Sequence, residues 1–181
     1  MTYIPGGGNS NVKSVLGYQS LGMINANTGQ VLLTLATLSA ADVSIGKGAR
    51  VNACGYMTIG GATSLNAQIT LEMVDTITYQ PFYLAKIDPS TFLSGGYTNP
   101  DAGGAGQYNW MVDAVAHFST GPRFDGSGSV TVGDTFFKLR RGGCSVPYGN
   151  PWIVRLGFNV TSRTNNEALS PMLTSSIVEG F

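Results

Sequence analysis

Apolar and polar residues alternate one for one along several stretches of this chain, the period of an extended strand rather than of a helix. The cleanest stretch is Ser64–Asp75. There Leu65, Ala67, Ile69, Leu71 and Met73 face one way, and Asn66, Gln68, Thr70 and Glu72 face the other. Such a strand rests one face on a core and leaves the other wet or lightly covered. Val51, Ala53, Gly55, Met57 and Ile59 repeat the pattern. So do Trp110, Val112, Ala114, Ala116 and Phe118 within Gln107–Ser119, and Val154, Leu156, Phe158 and Val160 within Trp152–Thr161. Gln30–Leu38, rich in Val, Leu and Thr, reads as a buried strand. Ile77–Ile87 reads as a strand interrupted by Pro81, and so as an edge strand or a bulged one. Ser129–Arg140 reads as one strand whose apolar parity shifts across Gly133–Asp134, as an inserted bulge residue would do.

Glycine and proline clusters separate these runs. Gly121, Pro122, Asp125, Gly126 and Gly128 read as a turn cluster, and Gly142, Gly143, Pro147 and Gly149 as the next. Asp88–Gly106, with five glycines and two prolines, reads as a long loop. Seven strands follow, with an eighth from either Val12–Ile24 or Met172–Val178. No helix of ordinary length and no internal repeat are visible. Many short alternating strands with Gly and Pro turns predict an all-β fold: an antiparallel two-sheet sandwich, jelly-roll-like, with long Gly-rich loops. The expected organisation is an extended N-terminal arm over 1–29, a β-sandwich domain over 30–161, and a C-terminal tail or last strand over 162–181.

Composition narrows the function. The 181 residues are 43% hydrophobic, enough for one domain with a substantial core. Only 11% are charged, well below the usual quarter. The surface is therefore polar but weakly charged, and easily desolvated against a neighbour. The formal net charge of zero gives no footprint for nucleic acid or an anionic membrane. Lys138, Arg140 and Arg141 are too few to make one and read as a solvated strand end. Met1–Gly8 has neither the positive nor the apolar segment of a secretory leader. No apolar run reaches the ~18 residues of a spanning helix, so a soluble protein with no membrane partner is expected.

Reactive chemistry is sparse. The single histidine, His117, falls on the polar face of its strand, with Asp113 four positions earlier. In an extended strand these are about 13 Å apart, too far for a hydrogen-bonded dyad. No Gly-x-Ser-x-Gly elbow marks a nucleophile. One His and the distant Cys54 and Cys144 do not form a zinc site, and Asp125-Gly-Ser-Gly lacks the spacing of a calcium loop. The two cysteines fit either a long-range disulfide or two buried free thiols. The glycine clusters have no following helix to form a phosphate cradle. Asn159-Val-Thr is formally a glycosylation sequon but falls mid-strand. No enzyme activity, no cofactor and no metal is expected.

Aromatic contact chemistry is better supplied. Tyr97 and Tyr148 lie in glycine-rich loops, where a phenol ring offers a flat apolar face and a hydroxyl to a sugar or a protein. Tyr3 in the arm and the terminal Phe181 complete the candidate contact residues. Trp110 and Trp152 fall in phase with apolar neighbours and are expected in the core.

The strand succession from Gln30 to Thr161, the arm Pro5-Gly-Gly-Gly-Asn and the loop from Ser94-Gly-Gly-Tyr to Gly106 resemble viral jelly-roll proteins. That class includes coat proteins and the decoration or cement proteins of tailed phages. The resemblance implies a non-enzymatic structural protein located in the virion. It also implies symmetric assembly, commonly as a trimer, through the arm, loops and C-terminus, with itself and other capsid proteins as partners. The arm carries only Lys13, whereas packaging a genome requires basic residues. An outer shell protein without direct nucleic-acid contact is therefore expected. The alternative is a carbohydrate- or receptor-binding β-sandwich module, such as a fibre tip or lectin, using the loop tyrosines and acids.

Overall fold

A computed structural model describes residues 11–26, 28–60, 64–87, 90–93, 106–119, 123–133, 135–145, 149–163 and 167–181. The protein is an all-β, antiparallel sandwich of two sheets. The strands are β1 (Asn11–Leu16), β2 (Gln19–Ser20), β3 (Gly29–Leu38), β4 (Gly48–Gly60), β5 (Ser64–Asp75) and β6 (Pro81–Lys86). They continue as β7 (Ser90–Leu93), β8 (Gly106–Ser119), β9 (Arg123–Val132), β10 (Thr135–Ser145), β11 (Trp152–Arg163) and β12 (Ala168–Gly180). The larger sheet runs β1-β12-β4-β8-β9-β10, with β2 also on β12; the smaller runs β3-β11-β5-β6, with β7 also on β5.

The alternating residues make the core. Leu65, Ala67, Ile69, Leu71 and Met73 of β5 are at most 1% exposed, and Val154, Leu156, Phe158 and Val160 of β11 match them. Val51, Ala53, Met57 and Ile59 of β4 and the apolar face of β8 close on them from the larger sheet. Trp110 and Trp152 are buried as expected, and they tie the sheets together. The Trp110 ring meets Phe158 edge-on at 5.3 Å between centroids, and Trp152 lies 6.5 Å from Phe118 and 5.2 Å from Phe82. The Trp110–Phe158 and Trp152–Phe118 pairs are edge-to-face and add to the burial of the rings themselves.

Several boundaries differ from the sequence reading, each for a local reason. Gly126 and Gly128 are not turn residues; they lie inside β9. A Cβ on Gly128 would stand 2.4 Å from the Leu84 carbonyl oxygen of the facing sheet, so glycine here permits close approach between sheets. Gly133 is not a bulge within one strand. Val132 and Thr135 pair directly, and Gly133, at φ 55°, lies in the tight connection that reverses β9 into β10. β10 itself runs on to Ser145, through Gly142 and Gly143. Pro81 opens the short strand β6 on the sheet path's end, so the missing N–H costs nothing inside the strand. β3 is an edge strand with Gln30, Leu32 and Thr34 turned outward, not a fully buried one. β7 lies within the segment read as one long loop.

Residues from Asn11 onward in the expected arm join the larger sheet, and the 162–181 segment joins it as a last strand, β12. β12 takes an interior position in the larger sheet, between β1 and β4. Residues from Asn11 onward pair along β12 through β1, β2 and the bridge Ile24–Leu169. A 13-residue strand leaves a long row of unpaired backbone groups unless something covers its free edge, and β1 and β2 cover it. Lys13 anchors this segment through an ion pair with Asp42 at 2.6 Å.

A candidate ligand groove on the smaller sheet

The outer face of the smaller sheet is built in rows by strand register. Thr34, Arg155, Glu72 and Tyr83 stand side by side across β3, β11, β5 and β6. The next row is Leu32, Gly157, Thr70 and Lys86, and the next Gln30, Asn159 and Gln68. Because side chains alternate, the same β5 that packs Leu71 into the core must present Glu72 and Thr70 here. A sheet face open to water would leave these residues exposed. Instead Glu72 is 4% and Thr70 7% exposed.

Gly157 shapes the surface. A Cβ at that position would stand 2.6 Å from Thr70 Oγ1 and 3.1 Å from Leu32 Cδ2. With no side chain there, a depression of about 130 Å³ opens over the β11 backbone. Its rim carries Gln30, Gln68, Asn159, Tyr83, Glu72 and Arg155. Arg155 donates from Nε to Glu72 Oε1 at 2.7 Å, a cross-strand pair with side-chain exposures of 29% and 5%. Lys86 Nζ lies 5.4 Å from the centre of the Tyr83 ring, within the range of a cation–π contact. Three primary amides, a hydroxyl, a carboxylate, a guanidinium and a phenol ring thus converge on one hollow.

The β5–β6 turn closes one end of this face, beyond Val74 and Pro81. Asp75, fully buried, organises it. Its carboxylate accepts from the Ile77 N–H at 2.9 Å, the Thr78 hydroxyl at 2.7 Å and the Asn150 amide at 3.2 Å. Burial alone would raise the Asp75 pKa, but these donors outweigh it and hold the group below 3.8. The frame carries Tyr79, 77% exposed and held at φ 57°, a left-handed conformation that side chains rarely adopt.

Of the residues singled out from the sequence, the structure describes Phe181. Tyr3, Tyr97 and Tyr148 lie outside the described residues. Phe181 is half-exposed and folds back on its own chain. Its N–H donates to the Gly48 carbonyl at 3.1 Å, the Gly48 N–H returns the bond at 2.9 Å, and its ring meets the His117 ring at 5.1 Å. His117 is on the exposed face of the larger sheet, opposite Gly48 and Asp125 in register, and takes no part in the groove. Cys54 is a free thiol whose sulfur lies 3.3 Å from the Ser175 hydroxyl. Among the described residues, no three His, Cys, Asp or Glu side chains cluster as metal ligands would.

The larger sheet has a shallower hollow of about 210 Å³ beside Asp113, Ser127, Ser129, Phe136 and Lys138. Its acid, Asp113, lies 3.7 Å from Arg50, with side-chain exposures of 41% and 57%. The smaller sheet's groove is the better-built site, because its charged pair is fixed and mostly buried while its rim stays open.

No family model matches the chain, and no curated protein matches it. Among solved structures, the Emp46p carbohydrate recognition domain in its potassium-bound form is similar at a TM-score of 0.42 and 8% identity. That match covers 83% of this chain and 77% of the other. Lectin I-B4 of Griffonia simplicifolia is similar at 0.40 and 9%, over 95% of this chain and 91% of the other. Lectin II of Ulex europaeus is similar at 0.38 and 12%, over 94% of each. At these scores the likeness carries no residue and no activity over to this chain.

Proposed function

We propose that the chain is a carbohydrate-binding β-sandwich module without catalytic activity, and that the sugar seats in the groove over Gly157. The observation that carries this reading is the make-up of the groove. Ligand sites pair apolar surface with a few well-placed polar groups. A pyranose ring needs donors and acceptors around its edge and an apolar surface against its C–H face. Gln30, Gln68 and Asn159 each offer both a donor and an acceptor, and Tyr83 and Leu32 supply flat or apolar surface. The carboxylate of Glu72 is engaged by Arg155, which suits a positioning role better than proton transfer.

A glycan array probed with the whole chain tests this. Binding to a defined saccharide set, abolished by Gly157→Val in a protein that keeps its β-sheet spectrum, is expected. An array with no bound glycan overturns the reading.

A second reading, a self-assembling shell or decoration protein of a virion, draws support from a different surface. Val12, Val15, Tyr18 and Met23, flanking the outer edge of the larger sheet, are 45–66% exposed. Exposed apolar residues beside a sheet edge invite a second chain. Native mass spectrometry decides it: a trimer or larger species supports assembly, and a monomer at tens of micromolar contradicts it.

A further inference from the structure

We infer that the sugar bound in this groove is acidic and that Arg155 recognises its carboxylate. The inference rests on the carbohydrate reading and goes on to the ligand's charge and to the group that reads it.

The starting point is how Arg155 is held. A guanidinium offers five donors in a rigid planar fork. The bond to Glu72 uses Nε, the inner nitrogen, and fixes the plane of the group. Among the described residues, neither terminal nitrogen of Arg155 has a hydrogen-bond partner. Glu72 is 5% exposed in its side chain and is anchored on the neighbouring strand, so it cannot swing to occupy the far edge of the fork. Arg155 keeps 29% of its side-chain surface, at the rim of the hollow. The result is a preset fork with its outer edge free. Two parallel N–H donors at that edge match the two oxygens of a carboxylate, and such bidentate pairs combine strength with geometric selectivity.

A single sugar hydroxyl offers one oxygen to this edge, whereas the paired oxygens of a uronic acid meet both donors. The three amides on the same face then remain for ring hydroxyls. A structural cross-strand ion pair alone would need neither the free outer edge nor the hollow beside it.

The experiment is calorimetric titration of the whole chain with galacturonic acid oligomers, their methyl esters, and neutral galactose oligomers of equal length. The acid form is expected to bind at least tenfold more tightly than the ester. Arg155→Lys keeps the charge but loses the fork, and should bring the acid and ester within about threefold of each other. Because a lone Glu72 would be buried without its partner, the pair Arg155→Gln with Glu72→Gln provides a second, charge-neutral variant. It should bind acid and ester alike while melting as a folded protein. Equal binding of acid, ester and neutral oligomers by the parent chain overturns the inference and leaves the carbohydrate reading standing. Failure of all three to bind, together with a blank glycan array, overturns both. Tight binding by Arg155→Lys with the acid preference intact assigns recognition to charge alone and overturns the fork.

Discussion

Replacing Gly128 with alanine should be among the most damaging one-carbon changes available to this fold. An added Cβ would lie 2.4 Å from the Leu84 carbonyl oxygen, 2.9 Å from the Ala114 Cβ and 3.0 Å from the Ala85 Cβ. Comfortable non-bonded separation is roughly 3.5 Å, so β9 and β6 would have to part by about 1 Å. The nearest obstacle is backbone, which cannot turn aside as a side chain can. Overpacking a tight site costs about 1–3 kcal/mol, and a backbone obstacle places this one near 3 kcal/mol. For a chain of this length each kcal/mol lowers Tm by about 2–4 °C, so a fall of roughly 6–12 °C is expected. Urea titration should show a lower midpoint at an unchanged slope, since the surface exposed on unfolding is the same. Gly60→Ala is the control: nothing lies within 4 Å of its added carbon, and its effect should stay within about 0.5 kcal/mol. Ala114→Gly should not rescue the variant, because the carbonyl of Leu84 remains. A Gly128→Ala protein that melts within about 1 °C of the parent would refute this packing of the two sheets.

Asp75 makes stability depend on pH in a stated direction. Its folded pKa lies below 3.8, so its contribution is fully present above that value and is lost as pH falls through the lowered one. Asp75→Ala should therefore cost about 1–3 kcal/mol at pH 7, by leaving buried donors unpaired, and the gap to the parent should narrow at pH 2–3 in urea melts. A gap that is unchanged across that range would contradict the role given to the charge. Tyr79→Gly relieves a left-handed backbone worth about 1–2 kcal/mol, partly offset by roughly 0.5–1 kcal/mol for glycine's freedom in the unfolded chain. Differential scanning calorimetry should show a Tm gain of up to about 6 °C. A loss would mean that the exposed ring packs against something.

The two-residue period made the core faces of β4, β5, β8 and β11 legible, because burial on one side of a sheet imposes strict alternation. Trp110 and Trp152 were legible for the same reason. Glycine misled where its reasons differ. Gly126 and Gly128 have the composition of a turn, yet Gly128 serves a contact with a strand more than 40 positions earlier, which local sequence does not encode. The parity shift at Gly133 was visible, but a bulge and a tight reversal both produce one. The groove was half visible. Gln68, Thr70 and Glu72 were read as the wet or lightly covered face of β5, and the matching signal in β11, Arg155-Leu-Gly-Phe-Asn159, was present in the same alternation. What sequence alone did not supply was the register that sets Arg155 beside Glu72, 83 positions away. Loop tyrosines supplied candidate contact residues because loops usually carry function; Tyr97 and Tyr148 lie outside the described residues, and the polar groups of the groove stand on strands.

The most direct test of the account follows backbone amide resonances while saccharide is added to the isotopically labelled chain. Shifts centred on Gln68, Thr70, Arg155, Gly157 and Asn159, with the larger sheet's Asp113 and Ser129 unmoved, are the predicted result. A saccharide that binds but perturbs the larger sheet and leaves Gly157 untouched would contradict it.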